Sequence, residues 1–141
     1  MHQARILLAD DHPEFLAMTV RLLQPEFNVL KTVGDGQAVV DEVAALNPDL
    51  VVLDISMPGL NGIEAALRLK ASGSNAKVVF LTVHRDPDYL ESALAVGALG
   101  YVVKDRLASE LVPALREALA GRQFISGCLS VAGNTDSRIR G

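Results

Sequence analysis

The stretch that decides the fold is Leu50–Ala71, LVVLDISMPGLNGIEAALRLKA. Its first four residues form a continuous, valine-rich apolar run. Such a run is too short for a buried helix and suits a strand covered on both faces. The run stops at Asp54. Met57-Pro58-Gly59 then makes a loop, and Gly62–Ala71 takes up helical spacing through Ile63, Ala66, Leu67 and Lys70. A strand, a polar strand end and a helix follow one another in close succession.

The same unit recurs on both sides. Short branched runs at Ile6–Ala9, Val29–Val33, Val78–Leu81 and Tyr101–Val103 alternate with helical stretches. Pro13–Leu23 places Leu16, Val20 and Leu23 at i, i+4 and i+7, with Pro13 suited to a first turn. Gln37–Leu46 carries Val39, Val43 and Leu46 on one stripe and stops before Pro48. Asp86-Pro87 reads as a cap and first-turn proline, opening a helix to Val96 that ends at Gly97. The last helix is expected from Ser109 to Ala120, with Leu111, Leu115 and Leu119 on one face and Pro113 near its first turn. Five such units predict an α/β fold, a parallel sheet between two layers of helices. Residues 4–121 form the expected domain. Residues 122–141, ending in the Gly- and Ser-rich SGCLSVAGNTDSRIRG, read as a flexible tail or linker stub.

Composition narrows the function. The chain has 141 residues, half of them hydrophobic, enough for one domain with a real core. Its net charge of −4 gives no general electrostatic pull on nucleic acid or anionic lipid, so neither is an expected partner. The lone cysteine, Cys128, cannot form an intrachain disulfide. No apolar run approaches the ~20 residues that span a bilayer. The N-terminal MHQARILLAD lacks a secretory signal, so a cytoplasmic protein is expected.

Polar residues stand where the strands end: Asp10 and Asp11, Asp54, Thr82 and Lys104. In an open parallel sheet, ligands bind beyond the carboxyl ends of the strands, where the strand order reverses. With order 2-1-3-4-5, these five residues converge on one crevice. Each acid also has a plainer reading, Asp11 as the cap of the helix at Pro13 and Asp54 as a turn residue. Together they are harder to explain away, because two carboxylates about 5 Å apart repel by roughly 3 kcal/mol at an effective dielectric of ~20. Lys104 supplies one compensating charge, and a divalent cation would supply two. Carboxylate oxygens suit Mg²⁺, which commonly completes its shell with water and phosphate oxygens. Phosphoryl chemistry follows, with Asp54 as a nucleophilic carboxylate and Lys104 and Thr82 as donors to the phosphoryl oxygens.

The runs ILLADDHPEF, VVLDISMPGLNGIEA, VVFLTVH and GALGYVVKD, in that order, resemble the receiver domain of bacterial two-component response regulators. ADDHPEF and YVVKD are similar to receivers of regulators with a LuxR-type helix-turn-helix output domain. The resemblance covers residues 4–121. It implies a flavodoxin-like (βα)5 three-layer sandwich with sheet order 2-1-3-4-5. It also implies a signalling domain rather than an enzyme, accepting a phosphoryl group on Asp54 from a sensor histidine kinase or phosphotransfer protein. Mg²⁺ would be held by Asp11 directly, by Asp10 largely through water, by Asp54 and by the backbone carbonyl of Ser56. Thr82 and Lys104 would bind the phosphoryl group, Tyr101 would be the aromatic switch, and Ser56 and His84 would tune dephosphorylation. The output surface would be the fourth helix, fifth strand and fifth helix, supporting a phosphorylation-dependent homodimer. Asp105 stands where many receivers have proline.

Other readings are weaker. An aspartate-nucleophile phosphatase usually carries D-x-D after its first strand, whereas here adjacent acids end that strand and the nucleophile lies on the third. Residues 122–141 are too short and irregular for a helix-turn-helix, so this chain alone should not bind DNA, although it would suit the amino-terminal regulatory part of a LuxR-type transcriptional regulator. A receiver-like interaction domain with a vestigial site would not need all five site residues. Gly34-Asp35-Gly36 follows the second strand, the wrong place for a dinucleotide loop. His2, His12 and His84 lack ligand spacing and read as loop or surface residues.

Overall fold

The computed structural model describes residues 3–127 and Leu129. Among the described residues, six parallel strands lie in the order β2-β1-β3-β4-β5-β6. In chain order the elements are β1 Arg5–Ala9, α1 Pro13–Leu23, β2 Asn28–Val33, α2 Gly36–Leu46, β3 Leu50–Leu53 and α3 Gly62–Ala71. Then come β4 Lys77–Thr82, α4 Pro87–Ala95, β5 Gly100–Val103, a 3-10 turn at Lys104–Arg106, α5 Leu107–Leu119 and β6 Phe124–Ile125. This is the expected sandwich with one strand added.

Side-chain alternation along the strands builds two cores. Ile6, Leu8, Leu50, Val52, Val79, Leu81 and Val102 pack with Leu23 of α1 and with Leu111, Ala114, Leu115 and Ala118 of α5. Leu7, Ala9, Val51, Leu53, Val78, Phe80, Tyr101 and Val103 pack with residues of α2, α3 and α4. Continued past the strand ends, this alternation assigns Asp10, Asp54 and Lys104 to the α1 and α5 side. Thr82 falls on the α4 side with Tyr101.

Local chemistry sets the helix starts around the site. Asp35 caps α2 by accepting from the Ala38 amide at 2.7 Å, so Gly34-Asp35-Gly36 is a helix entry. Asn61 and Glu64 form a reciprocal capping box at α3. Gly62 then lies so close to β3 that a Cβ there would fall 2.1 Å from the Asp54 carbonyl oxygen. Its amide donates to the Ile55 carbonyl at 2.8 Å. The loop after Asp54 is thereby held from below.

Three sequence expectations change. Asp11 does not cap α1: His12 occupies the cap position without a side-chain cap bond, and the His12 amide donates instead to Asp10 Oδ1 at 2.9 Å. Helix α5 begins at Leu107 because the 3-10 turn leads directly into it, so Pro113 lies inside the helix rather than near its first turn. There it lacks the amide that would bond the Ser109 carbonyl. Nor does ordered structure end at Gly121. The chain turns there with φ 78°, and Phe124 and Ile125 pair with Gly100 and Tyr101 on the edge of β5. Ser126 is buried, and Leu129 joins the α4-side core. Cys128 and residues 130–141 of the expected tail lie outside the described residues.

Candidate phosphoacceptor site

The strand ends bring Asp10, Asp54 and Lys104 into direct contact. Lys104 reaches from the end of β5 past β4 and donates to Asp54 Oδ2 at 3.1 Å and Asp10 Oδ2 at 2.6 Å. Both acids are almost wholly buried. Asp54 Oδ1 accepts from the Ile55 amide at 2.7 Å, which fixes the carboxylate at the mouth of β3. Burial alone would lower the Lys104 pKa, but its hydrogen bond to Asp10 and the Asp54 charge prevail and raise it above the ordinary lysine value. The ammonium also lies 4.4 Å from the centre of the Phe15 ring.

Asp11 sits at the exposed lip of the same pocket. Donor atoms of Asp10, Asp11, His12 and Asp54 all lie within 4.8 Å of one another, an acidic pocket able to hold a metal ion. Its donors are mainly carboxylate oxygens, the set that a hard divalent cation prefers. Charge points the same way, since three carboxylates gather here and Lys104, which contacts two of them, brings a single positive charge. His12 was not singled out as a site residue from the sequence, yet its Nδ1 lies 2.9 Å from Asp10 Oδ1 and 3.0 Å from Asp11 Oδ1. Its pKa is raised, first by the Asp10 hydrogen bond and then by the two negative charges.

The second half of the site centres on His84. Its amide donates to Thr82 Oγ1 at 3.3 Å, and its carbonyl accepts from the Tyr101 hydroxyl at 2.9 Å. Nε2 lies 2.6 Å from Ser56 Oγ, and the ring stacks on Tyr89 of α4 at 4.2 Å between centroids. Thr82 and Tyr101 are fully buried, so the Tyr101 ring already faces inward. Desolvation raises the Tyr101 pKa far above the usual phenol value, with smaller contributions from Tyr89 and Asp54. Its hydroxyl therefore stays a donor. Arg85, on the loop after β4, pairs with Asp105 in the 3-10 turn, joining two loops that border the pocket.

The response regulator receiver domain model matches residues 6–116. The transcriptional regulatory protein DegU of Brevibacillus brevis is 35% identical over 126 residues, covering 88% of this chain and 53% of DegU. The nitrate/nitrite response regulator NarL of Escherichia coli K12 is 33% identical over 129 residues, covering 90% of this chain and 60% of NarL. A solved LuxR-family two-component response regulator from Aurantimonas sp. SI85-9A1 superposes with TM-score 0.87 at 33% identity, covering 92% of this chain and 94% of that one. The chain belongs to the response regulator receiver family, among receivers of the LuxR and NarL type. It spans just over half the length of these two curated relatives.

Proposed function

We propose that Asp54 is the phosphoacceptor of a cytoplasmic receiver domain, residues 4–121 with the short β6 added in parallel at its sheet edge, and that the donor is a phosphohistidine on a sensor kinase or phosphotransfer protein. The observation that carries this reading is the Lys104 ammonium bridging Asp54 and Asp10 beside a third carboxylate, Asp11. A carboxylate oxygen of Asp54 attacks phosphorus, the P–N bond of the donor breaks, and the imidazole nitrogen takes up a proton. The product is an acyl phosphate, which water hydrolyses back to carboxylate and inorganic phosphate. The domain thus takes part in its own phosphorylation without being a turnover enzyme.

Asp10, Asp11, Asp54 and the Ser56 carbonyl are the residues that would hold Mg²⁺. Once bound, Mg²⁺ would neutralise charge on the phosphoryl oxygens. Lys104 donates to one of those oxygens and Thr82 to another. Moving Thr82 toward the phosphoryl group draws on the amide of His84, and the carbonyl of the same residue accepts from Tyr101. Tyr101 thereby reports the state of Asp54 to α4. Ser56 and His84, joined across the mouth of the site, control the approach of hydrolytic water. The readout surface is α4, β5 and α5, with β6 covering the free edge of β5, and phosphorylation promotes a homodimer there. We assign no DNA contact to this chain.

The test is intact mass after incubation with acetyl phosphate and Mg²⁺. Wild type is expected to gain one phosphoryl group, with no gain in EDTA or in Asp54→Ala. A gain that survives Asp54→Ala would place the acceptor elsewhere.

A further inference from the structure

We propose that Phe15 is a positioning residue for Lys104, holding the ammonium over Asp54 through its ring face; this rests on Asp54 being the acceptor. Lys104 must carry a flexible four-carbon stem from the end of β5 past β4 to β3 and β1. Three groups fix its ammonium: Asp10 Oδ2 at 2.6 Å, Asp54 Oδ2 at 3.1 Å and the Phe15 ring at 4.4 Å. The two carboxylates have competing duties. Asp10 belongs to the cation-binding cluster, and Asp54 commits one of its two carboxylate oxygens to a bond with phosphorus. The ring has neither obligation, because it offers a hard cation no lone pair and carries no titratable proton. It is the one contact that survives each stage of the cycle.

The placement follows from the fold. Alternation puts Asp10, Asp54 and Lys104 on the side of the sheet that α1 covers, and Phe15 lies in the first turns of α1. Phe15, Thr19 and Leu23 share one stripe at i, i+4 and i+8, of which Thr19 and Leu23 are buried. Leucine would satisfy that stripe equally well. Phe15 also packs on the α1-side core, which asks for apolar volume; the aromatic face answers to the cation, and the 4.4 Å distance lies well inside the ~6 Å range of such contacts. The Lys104 side chain is only 12% exposed, a desolvated setting in which the attraction is strongest.

The experiment compares phosphorylation rates of the 141-residue chain with acetyl phosphate and Mg²⁺, read by intact mass. Phe15→Leu is expected to react about fivefold to thirtyfold more slowly, and Phe15→Tyr within about twofold of wild type. Mono-, di- and trifluorinated phenylalanine at position 15 keep the shape but progressively remove the negative ring face. Rates should fall in that order, while Mg²⁺ affinity, measured by calorimetry without phosphodonor, stays constant. Rates that do not change across the fluorinated series overturn the proposal, as does a parallel loss of Mg²⁺ affinity. Wild type and Asp54→Ala in the same assay separate the two levels. If wild type gains one group and Asp54→Ala none while the series is flat, only the role of Phe15 falls. If wild type gains none, or Asp54→Ala gains one, the acceptor assignment falls and the role of Phe15 with it.

Discussion

Lys104→Met isolates what the buried ammonium does for the resting domain. Methionine keeps an unbranched apolar stem of similar length, so the change removes charge more than volume. It leaves Asp10 and Asp54 buried with no ammonium between them. Their donor oxygens lie within 4.8 Å, at which separation two like charges repel by about 3.5 kcal/mol at an effective dielectric of ~20. Truncating one partner of a buried ion pair typically costs ~3–5 kcal/mol, which agrees. We therefore expect Lys104→Met to lose about 3 kcal/mol in EDTA near neutral pH, a large share of the ~5–15 kcal/mol that a domain commonly has. Urea unfolding with unchanged slope reads this as a midpoint lowered by about 1–3 M. Adding Asp10→Asn to Lys104→Met should recover most of the loss. The folded pKa of Lys104 is raised, so its contribution is complete below the unfolded lysine value and fades only as pH climbs through the higher folded one. The gap between wild type and Lys104→Met should accordingly stay level from pH 6 to 9 and close only under alkaline conditions. A loss under about 1 kcal/mol in EDTA would refute the reasoning, because the acids would then be compensated some other way.

Two further outcomes follow from other parts of the molecule. Ser126 Oγ accepts from the Val103 amide at 2.9 Å and donates to Glu110 at 2.6 Å. Ser126→Ala leaves that buried amide unpaired, and urea unfolding should show a loss of about 1–3 kcal/mol; no loss would mean that the Val103 amide finds another partner. Glu26 pairs with Arg116 of α5 through two bonds, at 2.6 and 2.8 Å, and its pKa is lowered chiefly by that hydrogen bonding. The pair's contribution is complete above the unfolded glutamate value and is lost as pH falls through the lower folded one. Carboxyl NMR titration should place Glu26 below ordinary glutamates and return it to their range in Arg116→Gln.

The sequence made the sheet legible because each strand is a run too short to be a buried helix, and four of the five runs it shows meet a charged or hydroxyl residue at their carboxyl end: Asp10, Asp54, Thr82 and Lys104. Asp54, Thr82 and Lys104 were readable for the same reason: a charged or hydroxyl residue at a strand end stands out against valine and leucine. What escaped depends on tertiary neighbours. Phe124 and Ile125 are too few to show a period, and they become a strand only because the edge of β5 is free to take them. The early start of α5 is hidden by a 3-10 turn whose residues, Lys-Asp-Arg, carry no apolar rhythm. Phe15 reads as one more apolar helix residue until strands far apart in sequence place Lys104 beneath it. His12 lacks any ligand spacing because its partners Asp10 and Asp11 are its own neighbours, not residues a helical turn away.

Strand alternation also explains why this site can both react and signal. A strand end belongs to both faces of a sheet, and successive residues part between them. Asp10, Asp54 and Lys104 fall on the α1 and α5 side, so the charges that would handle a phosphoryl group are gathered against α1. Thr82 and Tyr101 fall on the α4 side, one strand end away from that chemistry. Any influence of Asp54 on α4 must therefore cross the sheet at its rim, and His84 stands at that crossing. Its amide meets Thr82, its carbonyl meets Tyr101, its ring nitrogen meets Ser56, and its ring rests on Tyr89. The 3.3 Å bond to Thr82 is the longest of its three hydrogen bonds, so it is the one that a displacement of Thr82 toward Asp54 would break first. On the proposed reading, breaking it would free the backbone segment that also holds Tyr101 and so couple the acceptor to the packing of α4.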